Sequence, residues 1–353
     1  MTEQRFIQFP RILTIAYLVA GIGAMLQIGG GHWDVTWHAL QKPETFFTPP
    51  HSVVYLGVLL ALSMGILGII LRIKHRYETK YVKFLQYALI GSVLQLFSGG
   101  FDLWWHTNFG FDGLLSPPHL VLVTGMVLNA FAPFAGMAMI TRNVRITTPL
   151  RATLLIALTA LWMSSIGIIM LFTLPFSKGQ YFNFNPDPFV GAAAATIAMP
   201  LIGSMIIILA HKTLPIQFPV TSLTAMYIFV NGMATVVAHY GIAPAMPYYI
   251  LAILPAIAVD FALRSKLAEK IKTAVAGMIF APFFYILYFP LVPHAFREAL
   301  GIPVDIQVTT ISLFLATYQT VMISTVLPAV FMGFVGSFFA LLVAHKMEHR
   351  QVA

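Results

Sequence analysis

Two clusters of aspartate and histidine share one spacing in this chain. In each cluster a histidine lies four residues after an aspartate, and a second histidine lies thirteen residues after the first. Asp34, His38 and His51 form one cluster, and Asp102, His106 and His119 form the other. Imidazole nitrogens and carboxylate oxygens are ligands that bind copper and zinc in proteins. The spacing therefore predicts two metal sites.

The clusters are parts of a longer repeat with an offset of 68 residues. Trp37 matches Trp105, and Pro49–Pro50 matches Pro117–Pro118. The repeat also pairs Gln27 with Gln95, Glu44 with Asp112, and Thr48 with Ser116. Histidine accounts for only 11 of the 353 residues, so a matched pair of such clusters is not a chance event. The repeat indicates a duplicated unit that uses these residues.

Each cluster needs two helices to bring its residues together. Asp34 and His38 are four residues apart, which places them one turn apart on one face of a helix. Thr48 followed by two prolines is typical of a helix start, because the hydroxyl caps the helix and proline needs no amide hydrogen there. His51 then lies in the first turn of the next helix, whose positive end disfavours a charged imidazole. The second cluster predicts a second helical hairpin of the same build.

Other acidic and histidine side chains have several interpretations. Glu44 and Asp112 are candidates for additional ligands, for acceptors of a ligand imidazole N–H, or for solvated loop charges. His32 has no counterpart in the second copy, where Gly100 takes its place, so we treat it as incidental. Asp260 is assigned to an ion pair with Arg264. A hydrogen-bonded structural pair is the alternative interpretation of each aspartate and the histidine that follows it.

The composition determines the class of protein that carries these clusters. The chain is 59% hydrophobic and 9% charged, and apolar runs long enough to cross a bilayer recur along it. We predict an all-α polytopic membrane protein with about ten transmembrane helices. The predicted spans lie at about 10–31, 50–73, 82–104, 118–141, 150–175, 188–210, 217–241, 244–263, 272–293 and 308–345. The last is too long for one straight crossing, and Pro328 is a candidate kink.

The spans divide the chain into two parts. Residues 1–145 are predicted to form the duplicated metal-site unit, with motif copies at 34–51 and 102–119. Its first four helices form two hairpins that are parallel repeats, because the offset is an even number of spans. Residues 146–353 add further transmembrane helices whose role the sequence does not reveal. His239 and His294 in that part have no partners at the diagnostic spacing.

The basic residues predict the orientation of the chain in the cell membrane. All but three of the 20 lysines and arginines fall on the side of the amino terminus, the exceptions being Lys42, Lys178 and Arg297. Cytoplasmic loops are enriched in basic residues, so both termini are predicted to be cytoplasmic and both clusters to lie near the extracytoplasmic face. The net charge of +8 then reflects topology, and no nucleic acid is predicted as a partner. The chain has no cysteine, which excludes thiolate ligands.

The first motif resembles a known family. Asp34-Val35-Thr36-Trp37-His38, followed by Phe47-Thr48-Pro49-Pro50-His51 and an apolar helix, resembles the C subunit of the copper membrane monooxygenases, which include particulate methane monooxygenase and ammonia monooxygenase. In that subunit an aspartate and two histidines at this spacing bind copper, and a second cluster with asparagine in place of aspartate forms a neighbouring copper site. The resemblance covers residues of about 30–145. Asp102 departs from it, because it stands where that second cluster has asparagine.

The resemblance implies copper at Asp34, His38 and His51, and by extension at Asp102, His106 and His119. It also implies O2-dependent oxidation of ammonia, methane or another small substrate, with the chain as a component of a copper-dependent membrane monooxygenase. Partners would be the lipid bilayer, other monooxygenase subunits or further copies of this chain. Two alternatives fit the residues: a metal transporter or copper-handling membrane protein, and a zinc-dependent membrane hydrolase.

Overall fold

The computed structural model describes residues 11–39, 42–43, 45–74, 77–110, 113–141, 146–173, 188–238, 240, 243, 246–288 and 322–349. Within these ranges all regular elements are helical. They are α1 (Arg11–Ala39), α2 (Pro49–Ile73), α3 (Thr79–Val82), α4 (Leu85–Phe109), α5 (Pro117–Ile140), α6 (Thr148–Leu171), α7 (Pro188–Thr213), α8 (Pro219–Ala238), α9 (Met246–Leu251), α10 (Ile253–Arg264), α11 (Glu269–Phe280), α12 (Phe284–Leu287) and α13 (Met322–His349).

The prediction of an all-α polytopic membrane protein is confirmed. Eight helical segments in the described ranges are apolar and between 20 and 31 residues long, whereas a bilayer crossing needs about 20 residues. They correspond to predicted spans one to seven and to the last part of span ten. Pro328 lies inside α13, which is continuous from Met322 to His349. Residues 308–321 of span ten lie outside the described residues.

Predicted spans eight and nine are each interrupted. The eighth divides at Ala252 into α9 and α10, and the ninth contains a turn of 3₁₀-helix at Ala281–Phe283 between α11 and α12. Each break lies beside a proline. Pro255 removes an amide hydrogen, and its ring conflicts with the carbonyl of Leu251, where α9 ends. Pro282 lies within the 3₁₀ turn itself.

The first four long helices form a ring in which α1 packs on α2, α2 on α4, α4 on α5, and α5 on α1. Exchanging α1 with α4 and α2 with α5 maps these contacts onto one another. The arrangement therefore has an approximate two-fold axis along the bundle. Both hairpins begin at one end of the bundle and turn at the other, which we call the site end because Asp34 and Asp102 lie there.

Glycines at matching positions bring the helices of each hairpin together. A Cβ on Gly57 would lie 2.5 Å from the carbonyl oxygen of Gly23, and a Cβ on Gly125 would lie 2.6 Å from that of Gly91. Both pairs obey the 68-residue offset. Because real Cβ atoms do not approach oxygen so closely, the two backbones meet only where glycine occupies the crossing. The repeat thus extends from the motifs into the middle of the helices.

In the described part of the chain, the later helices cover α1 of the first repeat and leave α4 of the second exposed, while α6 also packs on α5. Helices α6 and α8 pack on α1, whose Ile28 is 2% exposed and whose Gly29 lies against Val230 of α8. The equivalent residues of α4 are exposed, with Leu96 at 57% and Phe97 at 65%. Further along the chain, α7 packs against α11 and α13. The two repeats therefore have the same internal build but different surroundings.

The predicted ion pair between Asp260 and Arg264 is wrong. Asp260 is almost completely buried and accepts hydrogen bonds from the backbone N–H groups of Val220 and Thr221, at 3.1 and 2.8 Å, and from the Thr221 hydroxyl at 2.7 Å. Arg264 lies over the ring of Phe218 instead. The carboxylate therefore stabilises the start of α8, where amide hydrogens have no partner within the helix.

Replacing Gly57 with alanine tests the glycine crossing. The added methyl group would overlap the Gly23 carbonyl, so we expect the free energy of unfolding to fall by about 1–3 kcal/mol. Gly100→Ala is the matched control, because a Cβ there meets nothing within 4 Å. Chemical denaturation of the purified protein in detergent measures both. Equal stabilities of the two variants would contradict the close crossing.

Candidate metal centre

The first group is assembled from the end of one helix and the start of the next. Asp34 and His38 lie in the last two turns of α1, one turn apart. Thr48 occupies the N-cap of α2, where its hydroxyl accepts a hydrogen bond from the backbone N–H of His51 at 3.4 Å, and Pro49 is the first helical residue. This start places His51 in the first turn of α2, opposite the end of α1. The helix start predicted from the sequence is present.

The three side chains of the first group converge. His38 Nε2 lies 3.4 Å from Asp34 Oδ2, and His51 Nε2 lies 3.2 Å from Asp34 Oδ1. The two imidazole rings are tilted by 53°, with their centroids 6.5 Å apart. All three side chains are about 20% exposed, so they are shielded but still reachable from the site end.

The second group repeats this geometry. His106 Nε2 and His119 Nε2 both lie 3.3 Å from Asp102 Oδ1, and the imidazole centroids are 5.7 Å apart. The three side chains are between 16% and 23% exposed. Two separate helical hairpins, α1–α2 and α4–α5, thus build the same arrangement of side chains. The structure brings together all six residues that the spacing predicted.

The separations within both groups match those of ligands around one metal ion. Ligand atoms bound at about 2.0–2.1 Å to a tetrahedral ion lie about 3.3–3.4 Å from one another. The four aspartate–histidine separations are 3.2–3.4 Å, and in each group the three ligand atoms lie within 4.8 Å of one another. One cation could therefore be held by all three side chains of either group.

The contacts of Nδ1 in His51 and His106 indicate that a positive charge is needed between the aspartate and the histidines. His51 Nδ1 lies 3.2 Å from the carbonyl oxygen of Thr45, and His106 Nδ1 lies 3.1 Å from that of Gly110. A carbonyl only accepts, so Nδ1 carries the hydrogen, and Nε2 of the neutral ring presents a lone pair to the carboxylate. Two electron-rich atoms so close together need a positive charge between them, either a proton or a metal ion.

His119 is held differently from its counterpart. Its Nδ1 lies 2.9 Å from the hydroxyl oxygen of Ser116, which is completely buried at the N-cap of α5. The hydroxyl makes no hydrogen bond to the helix backbone, whereas Thr48 does. In both repeats, a side-chain or backbone oxygen fixes the outer nitrogen of a histidine and leaves Nε2 directed at the aspartate. Such contacts are the usual support of metal-binding histidines.

One oxygen of each aspartate lies near imidazole nitrogens but accepts no hydrogen bond of acceptable geometry. These atoms are Oδ1 of Asp34 and Oδ1 of Asp102, and both are buried. A buried carboxylate oxygen without a partner loses its solvation without compensation. The ligand types, their separations and these two oxygens together fit a transition-metal ion. The structural alternative is a hydrogen-bonded pair of each aspartate and the histidine that follows it. That pair does not explain why a second histidine lies beside the same carboxylate.

Among the remaining sequence candidates, His32 is the one that lies in the described part of the chain. Glu44, Asp112, His239 and His294 lie outside the described residues. His32 is buried against α8, where its Nδ1 lies 2.6 Å from Oδ1 of Asn231, so it does not face Asp34. The supporting carbonyls of Thr45 and Gly110 were not predicted. Only Gly110, which ends α4 with a φ of 68°, has a sequence signal, since glycine commonly terminates helices.

The fold and the two groups define a polytopic membrane protein with paired candidate metal centres. A comparison of the chain with protein-family models, curated proteins and solved structures finds no match. The resemblance to the copper monooxygenase subunit therefore depends on the motif residues alone.

Metal titration of single variants tests the independence of the two groups. The wild type should bind two ions per chain, Asp34→Ala and Asp102→Ala one each, and the double variant none. His32→Ala is the matched control, since it removes a buried histidine two residues from Asp34 and should retain both ions. Elemental analysis of folded, gel-filtered protein gives the stoichiometry. A wild type that binds no ion, or an Asp34→Ala variant that still binds two, would contradict the assignment.

The pH dependence of metal binding should show competition with protons. Each ion needs two neutral imidazoles, and free imidazole has a pKa of about 6.5, so protons displace the metal as the pH falls. We expect release below about pH 5–6, with the apparent affinity falling by up to about a hundredfold per pH unit there. Equilibrium dialysis against buffered metal at several pH values measures this. Retention of both ions down to about pH 4 would argue against histidine ligands.

Proposed function

We propose that this protein is an integral membrane copper protein that forms part of a copper-dependent membrane monooxygenase. The observation that carries the proposal is the pair of Asp-His-His groups, each with its three ligand atoms within 4.8 Å of one another. Such groups have a free-energy cost near a bilayer, because a carboxylate there needs a compensating partner. Their exact repetition in two hairpins supports use rather than accident.

Copper is the metal that this ligand set favours most. Two imidazoles and a carboxylate bind divalent first-row metals with affinities that rise toward copper, and the chain has no thiolate to favour another choice. Zinc also accepts these ligands and is the alternative ion. The resemblance of residues 34–51 to the copper monooxygenase subunit supports copper over zinc.

When bound, copper would supply the redox chemistry that oxidation of a small, unreactive substrate by O2 requires. The protein residues would hold the copper ions and orient their ligand atoms. Asp34, His38 and His51 would bind one ion, and Asp102, His106 and His119 a second. Three protein ligands leave at least one position of each ion for water, O2 or substrate. The contacts of His51, His106 and His119 with oxygen atoms at their outer nitrogens keep Nε2 directed inward.

The cellular setting completes the proposal. The bias of basic residues supports cytoplasmic termini, with the site end on the extracytoplasmic side of the membrane. The exposed apolar face of α4, which among the described helices has no counterpart of α6 and α8 upon it, leaves room for lipid, another subunit or a second copy of the chain. The substrate class is a small molecule such as ammonia, methane or a short alkane.

The interior of the bundle argues against cation transport. On the faces of α1 and α4 that carry Asp34 and Asp102, Gln27 and Gln95 lie two turns deeper. Ala20 and Ala88 follow a further two turns below, and both are completely buried. On these two helix faces the polar side chains therefore give way to alanine below the middle of the helices, whereas a cation path requires polar groups across the whole membrane.

Metal content and oxygen consumption test the proposal together. Membranes from the source cells, which retain any partner subunits, should contain copper bound to this chain and should consume O2 in the presence of substrate. The Asp34→Ala/Asp102→Ala variant should lose both copper sites and lower the consumption by about tenfold or more. His32→Ala controls for expression and folding. Bound zinc in place of copper would favour a hydrolase, and metal flux in proteoliposomes would favour a transporter.

A further inference from the structure

A group of buried polar side chains lies on the two-fold axis of the bundle, below the two metal centres. We call it the amide cluster, and it consists of Gln27, Ser92, Gln95 and Asn129. All four are at most 3% exposed. Gln27 lies midway along α1 and Asn129 midway along α5, so the cluster is at the depth of the membrane interior. Polar atoms at this depth require partners, because lipid provides none.

Hydrogen bonds across the axis connect the cluster. The amide nitrogen of Gln95 donates to Gln27 Oε1 at 2.9 Å and to the carbonyl of Gly91 at 3.3 Å. The amide nitrogen of Asn129 donates to Gln27 Oε1 and to Ser92 Oγ, both at 3.1 Å. Gln27 and Gln95 occupy equivalent positions of the repeat. The two halves of the duplicated unit are thus bonded directly to each other through their own matching residues.

Three atoms of the cluster remain without a partner. They are Gln27 Nε2, Gln95 Oε1 and Asn129 Oδ1, and all are buried. Turning the Gln27 amide does not help, since its nitrogen would then face two donors. Each orphan atom shares an amide group with an atom that is bonded in the cluster, so all three lie close to Gln27 Oε1. Leaving each one unsatisfied costs about 1–3 kcal/mol.

Glycines make room for the amides on both sides of the axis. A Cβ on Gly57 would lie 2.9 Å from Cγ of Gln27, and a Cβ on Gly125 would lie 2.7 Å from Cγ of Gln95. The crossings that join the hairpins thus also cradle the glutamines. Amides that serve only to bond helices together would be expected to satisfy one another. Here two acceptors and one donor group are left over.

The unpartnered atoms specify what would satisfy them. A ligand must accept a hydrogen bond from Gln27 Nε2 and donate to Gln95 Oε1 and Asn129 Oδ1. A cation such as ammonium has no lone pair for the Gln27 amide, and an anion without a hydrogen atom cannot donate to the two oxygens. An uncharged molecule with both functions meets all three, and water and ammonia are the smallest examples.

The two sides of the cluster along the bundle differ in character. Asp34 and Asp102 lie seven residues beyond Gln27 and Gln95, on the same helix faces and about 10 Å nearer the site end. Between the two levels, the space beside Gly30 is filled by Val54 of α2 and that beside Gly31 by Met126 of α5, whereas a Cβ on Gly99 of α4 would meet nothing within 4 Å. On the other side, Ala20 and Ala88 are completely buried and apolar. Apolar packing therefore closes the cluster on the side away from the metal centres.

We propose that the amide cluster is a third site of this protein, which binds one small uncharged molecule that both donates and accepts hydrogen bonds. Gln27 Nε2 donates to the bound molecule, and Gln95 Oε1 and Asn129 Oδ1 accept from it. The site belongs to the bundle itself and does not depend on bound metal. It gives the duplicated unit a polar compartment between the metal centres and the apolar half of the membrane.

Electron cryo-microscopy of the protein in nanodiscs, at a resolution that shows ordered water, tests this site. In ammonium-free buffer we expect a density peak within hydrogen-bond distance of all three orphan atoms, which identifies water. A peak that appears only after addition of ammonium chloride at alkaline pH identifies ammonia, and it supports the same site. The absence of a peak under both conditions overturns the proposal.

Variants separate ligand binding from helix bonding. Gln27→Met removes the donor at similar volume and should abolish the peak. Asn129→Ala places alanine where the first repeat has Ala61, removes one orphan oxygen and should abolish or displace the peak. Ser92→Ala is the matched control, because Ser92 is equally buried but contributes no orphan atom, and the peak should remain. A peak that persists in both Gln27→Met and Asn129→Ala overturns the proposal. The variants should keep two metal ions per chain, so failure of this site and failure of the metal centres are distinguishable.

Discussion

The contact of two helix backbones at paired glycines is the constraint on which the candidate centres depend. Asp34 and His51 belong to different helices and meet only if α1 and α2 converge. Gly23 and Gly57 allow that convergence, and Gly30 lets α1 approach the first turn of α2 near Pro50 and Val54. The second repeat uses Gly91 and Gly125 for the same purpose, and at the position of Gly30 it has Ser98, whose hydroxyl donates to the Pro118 carbonyl at 2.6 Å. Packing in the membrane interior thus determines ligand geometry at its edge.

Charge balance connects these centres to their setting. Each group combines one carboxylate with two imidazoles that are neutral when they act as ligands, so it carries a negative charge until a cation binds. Near a bilayer such a charge is poorly solvated. The oxygens that contact Nδ1 of His51, His106 and His119 add electron density on the far side of each ring and increase its basicity. The surroundings therefore favour a cation at the point where the three side chains converge.

The sequence predicted the centres better than the helices around them. Aspartate and histidine four residues apart are expected to share a helix face, and Thr48-Pro49-Pro50 is typical of a helix start, so local rules suffice to place the six candidate ligands. Prolines show the limit of such rules. Pro255 and Pro282 accompany breaks in the predicted spans, whereas Pro133, Pro200 and Pro328 lie inside continuous helices. Whether neighbouring helices compensate for a lost hydrogen bond depends on tertiary packing, and so does the choice of Thr45 and Gly110 as supporting carbonyls.

The difference in packing around α1 and α4 affects the electrostatic surroundings of the two candidate centres. Around the first centre, α6 and α8 enclose the outer face of α1, and protein dipoles such as the Asn231 amide lie close by. Around the second, Phe97 and Trp104 face outward from α4. Solvent access and dielectric around a metal control its reduction potential. Metal ions bound by the two matching groups would therefore differ in reduction potential, so that electron transfer between them would have a preferred direction.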